Sequence, residues 1–209
     1  MSLVSPETLR EYLNESEVTP ELVAALNRAE AVAAVRLGCR ELVDRQVTER
    51  ITVEREYGES VSGLSSATGL GSLRFPIVYL SDGPAREVTS MTVTIGSSVM
   101  SVLSTSRVSD TGWAVHYQFP LNMGFTVDLP YGAAFLDIEY AAGWETEDDL
   151  PFGIMQFVLA QAAQVFATPI GGVIKVRLGD NYVDLSPDAI RKQVDEYAEM
   201  LDQWARVRL

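Results

Sequence analysis

The chain has 209 residues, 47% of them hydrophobic and 22% charged, and its 16 Lys and Arg stand against 29 Asp and Glu for a formal net charge of −13. Such a composition excludes a disordered or collagen-like polymer, and a chain this long buries roughly 70% of its unfolded surface, enough for one large domain or two small ones. The negative charge repels nucleic acid and anionic membrane, so sequence-reading DNA binding is disfavoured.

The opening Met1-Ser2-Leu3-Val4-Ser5-Pro6-Glu7 has neither a basic nor an apolar leader region, and no apolar run approaches the roughly 18 to 20 residues that span a bilayer. The expectation is a protein made and kept in the cytoplasm. Three places then pair a capping hydroxyl with a following proline, the signature of a helix start: Ser5-Pro6, Thr19-Pro20 and Ser186-Pro187. After Thr19 the residues Leu22, Leu26, Ala29, Ala33 and Leu37 step by three and four, which predicts a helix ending near Gly38 or running on to Val43. Cys39, the lone cysteine, excludes an internal disulfide and any Cys-cluster metal site and reads as a small buried hydrophobe on that helix.

Between about 46 and 142 the period changes to two. Ile51–Arg55, Met91–Ile95, Phe125–Val127 and Leu136–Tyr140 alternate as strands, punctuated by Gly58, Asp82-Gly83-Pro84, Gly96, Asp110-Thr111-Gly112 and Pro130-Tyr131-Gly132. Residues 58–72 are rich in Gly, Ser and Thr and predict a long mobile loop or hairpin tip. Ile154, Phe157, Val158, Ala162 and Val165 give a third long helix a broad apolar face from Pro151 to about Ala167, with Asp148 and Asp149 favouring the dipole at its start. A short hairpin is expected over 174–185. The last helix is the clearest of all, stepping Ile190, Val194, Tyr197, Leu201, Trp204. The fold class is therefore α+β: a helical bundle from residues 1–45 and 150–209, with an antiparallel β subdomain, a sheet or a small barrel, inserted as residues 46–149.

Chemistry is hard to find. His116 is the one histidine, and a lone strand histidine is usually structural, so neither a zinc site nor a Ser-His-Asp triad is expected, and no Gly-x-Ser-x-Gly elbow exists. Gly69-Leu70-Gly71 lacks the Lys-Ser/Thr of a phosphate loop and the third glycine of a dinucleotide site. The cluster Glu145, Glu147, Asp148, Asp149 matches no calcium-loop spacing, and its place before a helix explains it as capping charge. No catalytic residue, metal or cofactor is expected.

Several short segments together resemble the head-tail connector family of tailed phages and related gene-transfer elements. They are the opening helix Glu7–Leu13, the alanine-rich helix Glu21–Leu42, the runs Leu73-Arg74-Phe75-Pro76-Ile77-Val78 and Val88–Val93, and above all Leu136–Trp144 followed by Leu150-Pro151 and Phe152-Gly153-Ile154. The likeness covers nearly the whole chain. It departs where the family often has a double proline, here only Pro76, and at Gln164-Val165-Phe166, where the family is rich in histidine or tyrosine.

The resemblance implies a virion protein of the neck with no enzymatic activity, whose copies form a ring, twelve-fold in the virion, under the portal protein. The ring would meet a tail-side completion protein and let DNA pass without specific binding, with no membrane involved. Candidate assembly contacts are Trp204, Arg206, Arg208 and Leu209, and candidate lumen charges are Glu145, Glu147, Asp148 and Asp149. Residues 58–72 and 204–209 are nominated to order on assembly. The alternatives are a tail-completion or tail-terminator protein, a glycoside hydrolase using Glu145 or Asp149, and a carbohydrate-binding module stacking sugars on Trp113, Trp144 and Tyr131.

Overall fold

The computed structural model describes residues 2–53, 77–95, 98–117, 134–167, 174–178 and 181–205. In chain order they form helices α1 (Pro6–Leu13) and α2 (Pro20–Leu37), then strands β1 (Arg45–Val53), β2 (Ile77–Tyr79), β3 (Ala85–Ile95), β4 (Ser98–Ser101), β5 (Arg107–Val108), β6 (Ala114–His116) and β7 (Ala134–Ala142). Helix α3 (Phe152–Ala167), strands β8 (Ile174–Leu178) and β9 (Asn181–Leu185), and helix α4 (Pro187–Asp202) follow. The class is α+β. Two compact units result, Met1–Asp44 with Gly143–Leu209 and Arg45–Ala142.

In the helical unit each hydroxyl-proline pair caps a helix. Ser5 Oγ accepts the Thr8 N–H at 3.1 Å, Thr19 Oγ1 that of Leu22 at 3.3 Å and Ser186 Oγ that of Ala189 at 3.3 Å, each satisfying a donor that the first turn leaves open. Helix α2 stops at Gly38, whose φ of 82° lets its N–H turn back to the Ala34 and Val35 carbonyls. The continuation to Val43 is thus not made. Cys39 lies past the helix end, buried, with its Sγ 3.5 Å from the Ala34 carbonyl.

Helix α3 is the hub, with α1, α2 and α4 packed against it. Ile154, Phe157, Val158, Leu159, Ala160, Ala162, Ala163 and Ala167 are all buried, so the helix is covered round most of its circumference. Small residues permit the close approach: a Cβ on Gly153 would sit 3.0 Å from the Met200 Cβ on α4. Helix α4 buries Ile190, Val194, Ala198 and Leu201. The β8–β9 hairpin sets Val176 opposite Val183. Val176 is buried, β8 lies along α1, and the Tyr182 hydroxyl donates to the Glu11 carbonyl at 3.1 Å.

The β unit holds a four-stranded sheet in the order β1-β7-β3-β4, antiparallel throughout, and a three-stranded sheet in the order β2-β6-β5. Among the described residues these are open sheets with no closed barrel, because β1 and β4 remain separate end strands. On β7 the side chains of Leu136, Ile138 and Tyr140 are buried while Glu139 is exposed, as period two dictates. They join Met91 and Val93 of β3, Val78 of β2 and Val115 of β6 in one apolar cluster. Phe125–Val127 and the segment 58–72 lie outside the described residues.

One polar network fastens the turn after β2 to the large sheet. Arg45 grips Asp82 with two guanidinium hydrogen bonds, and the Glu49 carboxylate accepts from Ser81 N and Oγ, the latter at 2.6 Å. The Tyr140 hydroxyl sits between that carboxylate and the Asp82 carbonyl oxygen, 2.8 Å from the latter. Burial, and then the neighbouring Glu49 carboxylate, push this phenol far above its usual pKa.

Candidate assembly surface

The acidic segment is held by its own backbone. Gly143, at φ 87°, occupies a position where a Cβ would come within 2.5 Å of the Val43 carbonyl oxygen. This close approach lets Trp144 bridge to Val43, with the Trp144 N–H on Leu42 O and the Asp44 N–H on Trp144 O, both 2.9 Å. Residues Glu147–Asp149 then form a single 3-10 turn. Asp149 Oδ2 accepts from Thr146 N at 3.1 Å and from Thr146 Oγ1 at 2.7 Å, a reciprocal cap within the turn. Glu147 Oε2 accepts the Ser5 N–H at 2.7 Å and so ties the turn to the start of α1.

The four predicted lumen charges therefore differ. Glu145, Asp148 and Asp149 are exposed, whereas Glu147 is half-buried and engaged. Sequence reasoning treated the cluster as charge at the start of α3; the structure spends Asp149 on its own turn and Glu147 on α1. Among the described residues no three His, Cys, Asp or Glu side chains converge to hold a metal ion. Trp113 and Trp144 are buried, 4% and 7% exposed, so neither offers the ring face that a carbohydrate platform needs. Tyr131 lies outside the described residues. His116 is half-buried on β6, opposite Ile77 on one side and Arg107 on the other.

Of the predicted assembly contacts, Trp204 stands just beyond α4 and is 36% exposed. Arg206, Arg208 and Leu209 lie outside the described residues. The same end of α4 carries an ion pair to α2, Arg36 Nε to Asp202 Oδ1 at 2.7 Å and Nη2 to Oδ2 at 2.8 Å. That guanidinium holds the Asp202 carboxyl below its usual range.

Two features escaped the sequence reading. Glu30 is a buried charge whose Oε1 accepts from Ser2 Oγ, Leu3 N and Val4 N at 2.8, 2.9 and 2.7 Å. Its signal was available, since Leu26, Glu30, Ala33 and Leu37 share the buried face of α2 by helical spacing. The second is the outer face of α2, where Val32 and Val35 are 45% and 72% exposed. It was missed because the inward stripe alone accounts for an amphipathic helix.

No family model matches the chain, and no curated protein matches it. Solved structures do. A chain from the neck of an empty gene transfer agent particle, computed with six-fold symmetry, is 16% identical, with 99% of this chain and 91% of that chain covered and a TM-score of 0.50. A chain from the virion of a native gene transfer agent particle is 16% identical over the same shares, with a TM-score of 0.53. The fold is one these chains share over essentially their full lengths.

Proposed function

We propose that the chain is a structural protein of the virion neck, a head-tail connector subunit that forms a ring below the portal and extends the DNA channel toward the tail. The observation that carries this reading is the likeness of 99% of the chain to chains from the neck and virion of a gene transfer agent. The net charge of −13 supports it from another side. A lumen bearing Glu145, Asp148 and Asp149 repels phosphate from every direction, so DNA slides without a binding site to hold it. Its mechanism is shape and charge, with no bond made or broken. The ring, twelve-fold in the virion, binds the portal on one side and a tail-side completion protein on the other, after assembly in the host cytoplasm. Trp204, Arg206, Arg208 and Leu209 take part in these contacts.

Deleting the gene from a particle-producing strain tests this role. The expected product is DNA-filled heads without attached tails, restored by the gene supplied in trans. Normal numbers of tailed, infectious particles without the chain would overturn it.

A further inference from the structure

Helix α2 is apolar on both sides. Its inward face buries Leu22, Ala25, Leu26, Ala29, Ala33, Ala34 and Leu37. Its outward face presents Ala24, Asn27, Arg28, Ala31, Val32 and Val35, all exposed. A helix that is hydrophobic all round is ordinarily covered all round, and two valines left 45% and 72% exposed on consecutive turns mark a surface awaiting a partner. The charge on this stripe points to what the partner is. The stripe's charged residues are Glu21 and Arg28, one of each sign, so the partner should offer both signs, as α4 of another copy of the same chain does with exposed Lys192 and Glu196.

The matching feature lies on α4. There Glu196 and Glu199 are exposed, and Met200 is 38% exposed, four residues beyond Glu196. On α2 the basic Arg28 and the apolar Val32 are likewise four residues apart. Both pairs span about 6 Å of helix rise and run in the same order along the chain. The Arg36–Asp202 pair places the C-terminal ends of α2 and α4 at one end of the unit. A ring neighbour whose α4 runs parallel to this α2 sets Glu196 against Arg28 and Met200 against Val32 and Val35.

We infer that the outer face of α2 is one half of the contact between successive subunits and that the Glu196–Met200 face of α4 on a second copy is the other half. The inference rests on the ring reading above and assigns its joint. The contact is heterologous, with different patches on the two sides, as a closed ring requires.

Native mass spectrometry of the full chain across a concentration series, with circular dichroism to confirm folding, tests it. Arg28→Glu and Glu196→Arg should each raise the concentration for half-assembly by about tenfold or more. The double variant should return most of that loss, and Val35→Asp should abolish rings while leaving a folded monomer. Wild-type rings that persist unchanged in Val35→Asp and in both charge reversals would overturn this contact and leave the ring reading standing. So would a Val35→Asp chain that still forms rings but no longer binds the portal, since the face would then belong to another protein. A wild-type chain that stays monomeric at every concentration would overturn both.

Discussion

The Glu30 carboxylate and the Val4 N–H meet at 2.7 Å inside the helical unit, joining α2 to the segment that leads into α1. The same oxygen takes the Leu3 N–H and the Ser2 hydroxyl. Three donors on one buried acceptor make this carboxylate the fastening of residues 2–4. Glu30→Ala leaves buried N–H groups without partners and should cost about 2 to 4 kcal/mol in urea unfolding. Glu30→Gln keeps an acceptor oxygen and should cost less than half as much. Equal losses would show that the carboxylate packs there without holding the segment.

Alkaline pH should loosen the fold. The Tyr140 phenol is raised by burial and by Glu49, and burial together with nearby Tyr197 pushes Tyr12 up to about 12 from 10.0. Above pH 10 the unfolded chain gives up these protons while the folded chain keeps them. Stability is therefore fully present below pH 10 and falls as pH rises, for Tyr12 through the window from 10 to 12, by on the order of 2 kcal/mol. Denaturant unfolding between pH 9 and 12 should show this decline, and Tyr12→Phe should flatten it. An unchanged slope in Tyr12→Phe would remove this phenol from the account.

Gly143 should accept no other residue. Its φ of 87° and the Val43 carbonyl oxygen 2.5 Å from the position of a Cβ oppose Gly143→Ala twice over. A loss of roughly 2 to 4 kcal/mol in thermal or urea unfolding is expected, as for other strained buried sites. A change below about 0.5 kcal/mol, the range of ordinary surface substitutions, would contradict the tight approach of the two segments.

The Arg36–Asp202 pair should matter little to stability. Its side chains are 42% and 50% exposed, and surface pairs contribute about 1 kcal/mol or less, screened by salt. Asp202→Asn should therefore lose no more than that at low salt and nothing measurable in 1 M NaCl. A larger loss that survives the salt would mean that the pair orients α4 against α2.

The elements most legible in the sequence were those fixed locally. A hydroxyl followed by proline announced the starts of α1, α2 and α4, because the cap and the restricted φ of proline act within one turn. Period two revealed β3 and β7, whose alternate residues face one core. Less legible were features set by distant chain. Asp149 read as charge for α3 yet closes its own turn, because Thr146 is nearer. Cys39 read as helical yet follows Gly38, whose left-handed conformation ended the ladder first. The outer face of α2 went unnoticed because one apolar stripe suffices to predict a helix, and the second gains meaning only once the first is seen buried.

Electron cryomicroscopy of the purified chain mixed with the portal tests the central claim most directly. The account predicts closed rings of a single symmetry, coaxial with the portal and with the Glu145–Asp149 turn lining the passage. Portal particles that carry no added density, beside a chain that remains monomeric, would contradict it.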